Sequence, residues 1–525
     1  MSSITLRDAL GNSKTSGIYI TLIALAALFI YTLYGAIWRL YLTPIAHIPG
    51  PWFAKLTFWN EFYYDVVLGG KYTWKIADYH AIYGPIIRIN PFEVHIMDPE
   101  FHEELYVHSN KRKSNKWFWS MRMFGQQDNS AFDTLDHDKH RMRREPWNPY
   151  FSKQSVSRLQ PLLIQSCVNK LCDRLAEHRD AGKPVIMTYA YACLTVDVIS
   201  EYSFPAGTTY LDQPSFDQDH YQAWMALSKI SHTLKQFGWL YPFLSSMPMW
   251  VTKYTSPETY LVLQQMELLK RQTTEIIARR QGTSDYKEST GRPSLMEAIL
   301  DSRMPSSEKT IIRVAGAAQI AIGAGTLTSS HALKHATYHI LANPPIHSKL
   351  MSALEAAIPD PDAPPNLKQL ESIDYLLAIW FETLRNFHGV THRLQRICPD
   401  RSLHFQNVEI PAGTPVGMTS VHVHNNPDIF PDPYAFRPER WLPLASEGQR
   451  LQRYILAFGK GSRQCVGMEL GRAEVLTGLA NVFRRFGRGM RLKGTERVRD
   501  IDVCYDVFNP MPSRESNMLV VEFGK

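Results

Sequence analysis

A run without one charged side chain, Thr15 to Trp38, constrains this chain more than any other feature. The stretch GIYITLIALAALFIYTLYGAIW is apolar almost throughout, and about twenty such residues cross a bilayer as a helix. Lys14 and Arg39 bracket the run, and Tyr31, Tyr34 and Trp38 crowd its far end as an aromatic belt does. The alternatives are a cleaved signal peptide and a buried core helix. A signal peptide has a shorter apolar core and a small-residue cleavage site, whereas Tyr-Leu-Thr-Pro follows here. The run therefore predicts a retained membrane anchor. Arg7 and Lys14 precede it while Arg39 and Lys55 follow, so charge alone does not set its orientation. In His47-Ile48-Pro49-Gly50-Pro51-Trp52, two prolines around a glycine cannot continue a helix and predict a stiff hinge. The expected organisation is a tail and anchor over 1–40, a Pro/Gly hinge over 41–52, and one large domain over 53–525.

The chain has 525 residues, 44% hydrophobic and 20% charged, a globular composition that excludes disorder. The net charge is +7, with basic residues gathered at Lys111–Lys113, at Lys139–Arg144, and in Arg484, Arg485, Arg488, Arg491 and Lys493. Such clusters are either a solvated face or a docking patch for an acidic protein partner. They carry no nucleic-acid-binding motif, so no nucleic acid is expected. Cysteines stand at 167, 172, 193, 398, 465 and 504 without a CxxC pair, which argues against zinc and against a disulfide scaffold.

Residues 85–98 (PIIRINPFEVHIMD) predict a β-hairpin turning at Asn90-Pro91. Apolar residues three and four apart predict helices over 155–178, 186–204, 257–281, 309–342 and 367–386. The longest, 309–342, follows the capping pair Ser306-Ser307 and stops before Pro344-Pro345. Beyond it, short strand-like pieces alternate with Pro-rich loops. The expected fold class is mainly α with a minor β region.

Chemistry concentrates in Phe458-Gly459-Lys460-Gly461-Ser462-Arg463-Gln464-Cys465-Val466-Gly467. A cysteine thiolate is a strong donor to haem iron and promotes O–O cleavage. It needs a nearly dry pocket and amide hydrogen bonds to hold its charge. Glycines let the backbone approach the sulfur closely. A second element is Glu382-Thr383-Leu384-Arg385, where positions i and i+3 share one helix face and can pair. A third, Ala324-Gly325-Thr326-Leu327-Thr328-Ser329, sits inside the longest helix, where a glycine costs about 1 kcal/mol against alanine. Thr328 could simply bond the carbonyl four residues back.

The first element matches FxxGxRxCxG at every fixed position, and by it the chain resembles the cytochrome P450 enzymes. Phe436-Arg437-Pro438-Glu439-Arg440-Trp441 is similar to the family's PERW element, and Ala324–Ser329 to its oxygen-binding segment AGx(D/E)T(T/S). The resemblance runs from the Pro-Gly-Pro hinge to the C-terminus. It implies a helical triangular prism around a buried haem, preceded by an N-terminal transmembrane helix, with 53–525 as the haem-thiolate catalytic domain. It also implies Cys465 as iron ligand, Phe458 covering the sulfur, and Gly459 and Gly467 close to sulfur and porphyrin. Arg463 is expected on a haem propionate. So are Arg144 and His140, the latter in place of the tryptophan of a WxxxR helix, and Arg393 in HRLQR. Arg440 is expected to join Glu382 and Arg385 in a buried structural triad. Gly325 would leave room for dioxygen. Thr328 would relay protons; Leu327 departs from the family's acid, so Ser329 and Ser330 would organise water instead.

The activity implied is insertion of one oxygen atom of O2 into a lipophilic small molecule. Electrons would come from NADPH through NADPH–cytochrome P450 reductase, docked on the basic face. The implied place is the endoplasmic reticulum membrane, with a single-pass anchor and a cytosolic catalytic domain. HGVTHR and NPYFS look similar to fungal secondary-metabolism enzymes, including trichodiene-oxygenase-like ones, which points to a terpenoid or similar scaffold. The pocket is expected from the loop Trp117 to Phe132 (Trp117, Phe118, Trp119, Met121, Met123, Phe124), helix residues 317–328, Val390 to His392 and Phe508. Leu327 keeps open an isomerase or rearranging enzyme of the same fold. Thr328 argues against a non-catalytic haem protein.

Overall fold

The computed structural model describes residues 6–108, 112–125, 128–216, 218–280, 294–442 and 450–524, with side chains from residue 19 onward except Glu258. Lys111, counted in one basic cluster, lies outside the described residues. Helix α1 (Leu6–Ile37) exposes its apolar side chains from Tyr19 on. The stretch Tyr19–Leu42 is long and apolar enough to cross a membrane, and none of its apolar window is buried. It is a candidate membrane anchor. The segment expected to hinge is fixed to the body. Ile45 and Ile48 are buried, the Arg88 N–H donates to the Pro49 carbonyl at 2.7 Å, and a Cβ on Gly50 (φ +153°) would strike the Arg88 carbonyl.

The body is mostly helical, as expected. Its main helices are α2 (His137–Arg144), α3 (Gln165–Asp180), α4 (Met187–Ser203), α5 (Gln218–Gln236), α6 (Pro257–Arg280), α7 (Ile311–Ala342), α8 (Asp374–Phe387) and α9 (Met468–Phe486). Every residue of α4 except Glu201 is buried, as a helix apolar on all sides requires, and it lies along α7. One apolar core joins α3, α4, α7, α8 and α9. The helix α7 is also long and apolar enough to span a membrane, but half of it is buried in this core.

Three boundaries differ from expectation for local reasons. The single helix over 155–178 is interrupted by a π-turn at Gln160–Ile164, because Pro161 has no N–H to donate. Thr310 caps α7, accepting from the Arg313 N–H; the Ser306-Ser307 pair forms a separate 3₁₀ turn. The helix over 367–386 divides into Leu367–Glu371 and α8 at Ser372-Ile373, where Ile373 is extended and buried.

Strands β1 (Ile86–Arg88), β2 (Val94–Ile96), β3 (Arg396–Ile397) and β4 (Pro415–Gly417) form a sheet in the order β1-β2-β4-β3. β1 and β2 are the expected hairpin, with Ile86 opposite Ile96. Asn90 makes its turn, its side-chain oxygen accepting from the Phe92 and Glu93 N–H groups. A second hairpin, β5 (Tyr505–Val507) and β6 (Asn509–Met511), carries Phe508 at its tip with φ +77°.

Candidate active site

A cavity of about 390 Å³ opens between the loop before α9 and the middle of α7. Phe458, Gly459, Arg463, Gln464, Cys465 and Gly467 wall one side; Ala324, Gly325 and Thr328 wall the other. The cysteine loop is held by its own backbone. The Cys465 N–H donates to the Phe458 carbonyl at 2.9 Å, Gln464 to Gly461 at 3.0 Å, and Ser462 to Val107 at 3.0 Å. Gly459 and Gly461 turn at φ +62° and +73°, and a side chain on Gly461 would strike the Tyr106 and Val107 carbonyls. A Cβ on Gly467 would lie 4.0 Å from the Cys465 sulfur. The Phe458 ring packs on Trp380 with centroids 6.0 Å apart. Cys465 is accessible, but to the cavity. Burial pushes its thiol up, while a Gly467 N–H and the Arg144 guanidinium pull it down.

One end of the cavity collects positive charge. Arg463 donates to the carbonyls of Thr134, Leu135 (2.7 Å) and Asp136 (3.1 Å). Arg144 donates to the Gln464 carbonyl, and Lys116 to that of Phe132. Burial, then Arg463, Lys116, Arg144 and Arg396 around it, hold the His140 imidazole down to about 2, so it is neutral. Burial and Arg396 lower Arg463 to about 9. Among the described residues, the carboxylates acting on Lys116 and Arg463 are Asp133 and Asp136. Asp133 is engaged by Ser130, and Asp136 caps α2. The excess of buried cations is what a ligand with two carboxylates would balance.

The expected Arg393 is elsewhere. It is buried and donates to Glu61 (2.8 Å) and Glu93 (3.0 Å), in a network that Lys235 and Asp65 extend. Arg396, three residues on, lies near enough for its charge to act on Arg463 and His140, but does not line the cavity. Sequence reasoning missed it and Lys116.

On the far wall, the Thr328 hydroxyl donates to the Ala324 carbonyl at 2.7 Å, which leaves its lone pairs free to accept. Ser329 is buried and lines the cavity. Ser330 does not line it: its hydroxyl bonds the carbonyls of Thr326 and Leu327, within its own helix. The space left by Gly325 is taken by Ile199 of α4, which a Cβ would meet at 2.7 Å. That glycine therefore serves helix packing.

The outer walls are apolar. Met123, Phe124, Val390 and His392 line the cavity as expected, and Phe124, Phe132 and Phe508 form a triangle of rings with centroids 4.8–5.8 Å apart. Trp117, Phe118, Trp119 and Met121 do not line it. Trp119 stacks on Phe58 at 4.1 Å, and Arg122 covers Phe118. Trp224 and Tyr241 line it without having been expected.

The triad is assembled under this site. Arg385 grips Glu382 with two hydrogen bonds of 2.7 and 2.9 Å, and both side chains are fully buried. Arg440 approaches the same carboxylate at 3.2 Å. The Trp441 indole and the Arg437 N–H, both unforeseen, donate to it at 2.8 Å. Most expected docking cations are paired: Arg143 with Asp128 and Glu308, Arg488 with Glu355, Lys493 with Glu522.

The family model described as Cytochrome P450 matches residues 49–500. Among curated proteins, the Cytochrome P450 monooxygenase tpcC of Cochliobolus heterostrophus is 42% identical over 478 residues, covering 90% of this chain and 88% of that protein. The N-acetyltryptophan 6-hydroxylase ivoC of Emericella nidulans is 40% identical over 94% of this chain and 96% of its own. The Tryptophan 6-hydroxylase fscE of Fusarium equiseti is 39% identical over 93% of both. A family match of this extent, with relatives this similar over almost the whole length, means that the chain belongs to the cytochrome P450 family and is an oxidoreductase of the monooxygenase class.

Proposed function

We propose that this protein inserts one oxygen atom of O2 into a lipophilic secondary metabolite, with Cys465 as the ligand of a haem iron. The observation that carries this reading is the cavity walled by Cys465 on one face and by Ala324 to Thr328 on the other. Haem, which the family implies, would supply dioxygen activation. The residues fit it: a thiol faces the cavity, and buried cations await two carboxylates. Arg463, Arg144, Lys116 and neutral His140, all on the cavity wall, would hold the propionates. The Gly467 N–H and Arg144 favour the Cys465 thiolate, and Phe458 shields it from water. Thr328 accepts a proton at Oγ1 and passes on its own. Thr328→Ala is therefore expected to keep haem and substrate binding while more peroxide and less product form per NADPH consumed. Unchanged coupling would reduce Thr328 to a helix residue.

The apolar walls suit a terpenoid. The ring triangle and the two relatives named as tryptophan hydroxylases favour a second substrate class, an aromatic ring. Co-expression with an NADPH–cytochrome P450 reductase, feeding of terpenoids and indoles, and a search for a mass gain of one oxygen test both. Product formed without NADPH and O2 consumption would instead assign a rearranging enzyme, which Leu327 keeps in view.

The organisation that fits is an anchor over 1–40, a connection over 41–52 and a catalytic domain over 53–525, cytosolic at the endoplasmic reticulum membrane. Deleting residues 1–40 is expected to move most of the protein into the soluble fraction with haem binding intact. Full retention in membranes would assign anchoring to the exposed Trp52, Trp59, Trp239 and Trp250 instead.

A further inference from the structure

Three cations meet where the apolar span joins the body, and among the described residues no carboxylate pairs with any of them. The Arg39 guanidinium donates to the Leu56 carbonyl at 3.0 Å. Arg88 donates to the neighbouring Lys55 carbonyl at 3.3 Å and to that of Pro91 at 2.7 Å. Both arginines thus converge on the last carbonyls of the short helix Trp52–Leu56, which packs against the end of the anchor, Trp38–Leu42. Lys55 belongs to the same short helix, and its ammonium makes no hydrogen bond among the described residues.

Arginines that cap helix carbonyls are ordinary structure. Capping leaves much of this charge unused, since a guanidinium has five N–H donors. Arg88 is fully buried, yet its Nε and Nη1 have no partner. Burial, then the Arg39 charge, lowers Arg88 to about 10. Burial, then the Arg88 charge, lowers the half-buried Lys55. Like charges therefore crowd together, partly out of water, where cations are otherwise paired.

Their depth identifies the missing partner. The span Tyr19–Leu42 has 24 residues, about 36 Å at about 1.5 Å per residue, against roughly 30 Å of hydrocarbon. Its last turn emerges among the lipid headgroups. Tyr41, Trp52 and Trp59, each more than half exposed, flank the same junction in the chain, and such rings sit at headgroup level.

We propose that Arg39, Lys55 and Arg88 form a binding site for the phosphate of an anionic phospholipid headgroup. The proposal rests on the anchor reading above. A phosphate takes paired N–H bonds from a guanidinium and a point charge from an ammonium, and these side chains supply both. Arg39 and Lys55, only half-buried, touch the phosphate, and the buried Arg88 backs them with charge. Arg39 stands at the end of the anchor, Lys55 on the short helix and Arg88 on β1. One bound headgroup therefore ties the anchor to the sheet and sets how the body sits on the bilayer.

The test uses the purified full chain in a non-ionic detergent, with dioleoyl phosphatidylglycerol, dioleoyl phosphatidylcholine and inorganic phosphate as probes. Native mass spectrometry should show one phosphatidylglycerol retained, on the order of tenfold more tightly than phosphatidylcholine. Lys55→Gln should weaken that retention about fivefold, and Lys55→Glu, which also reverses the charge, about 25-fold. Both variants should melt with phosphatidylcholine as the unmodified protein does, because Lys55 holds nothing in the fold. If Lys55→Glu does not fold, Lys55→Gln carries the test with its smaller loss. Equal retention of the two lipids, or undiminished retention of phosphatidylglycerol by a folded Lys55 variant, overturns the site. Inorganic phosphate that displaces the lipid at equal concentration overturns the lipid in favour of a free phosphate. Flotation with phosphatidylcholine vesicles is the control for the anchor. A full chain that floats with them yet shows no lipid preference in detergent refutes this proposal alone. A full chain that floats with vesicles of neither lipid refutes the anchor reading, and the site with it.

Discussion

Cys465→Ala is expected to abolish turnover and the red-shifted Soret band of the reduced carbon monoxide complex, while the protein stays folded. The loop does not depend on the sulfur for its shape. Its hydrogen bonds run from the backbone N–H groups of residues 462, 464 and 465 to carbonyls, and alanine keeps all of them. The side chain removed is small and faces the cavity, so the stability lost should stay near the typical 1 kcal/mol of a point substitution. The chemistry lost is total, because no other thiol lines the cavity among the described residues. A serine there does not substitute: its hydroxyl does not ionise in a buried site. A carbon monoxide spectrum and a thermal melt on the same sample check both halves. A thiolate-type band or retained turnover in Cys465→Ala would sink the assignment of the iron ligand.

What could be read from the sequence was local chemistry at fixed spacing. The cysteine loop and the Glu382–Arg385 pair lie within ten and four residues of chain, and their geometry follows from backbone rules. The hairpin at Asn90 was equally legible, since an asparagine makes that turn with its own side chain. Groups chosen by tertiary packing were not. Arg393 and Arg396 lie three residues apart, yet packing sends one to Glu61 and Glu93 and the other onto the Tyr106 ring, near Arg463 but off the cavity wall. Lys116 belongs to no motif, so nothing local marks it. Trp117 and Trp119 suited a greasy pocket by composition, but Phe58, about sixty residues earlier, draws them away.

Glu382→Ala is expected to yield little or no haem-loaded protein. Removing the carboxylate strands Arg385, which is fully buried, and takes from Arg440, Trp441 and the Arg437 N–H the acceptor they share. Breaking a buried pair by deleting one partner costs about 3–5 kcal/mol, a large share of the roughly 5–15 kcal/mol by which a domain is stable. The damage has a path to the iron site. Arg385 also donates to the His424 carbonyl at 3.1 Å. The His424 imidazole, held neutral by burial, accepts from the Leu456 N–H at 2.9 Å, and the Leu456 carbonyl accepts from Gly459 at 2.8 Å. The triad thus positions the cysteine loop through three hydrogen bonds. Glu382→Gln should lose less, since its amide oxygen still accepts on one side, from Arg385 and the Arg437 N–H, while its NH2 turns a donor towards Trp441 and the charge is gone. The haem-to-protein absorbance ratio and the yield of soluble protein check the order, native above glutamine above alanine. A Glu382→Ala protein that folds and loads haem normally would show that Arg385 finds other partners, and the path from the triad to Cys465 would fall with it.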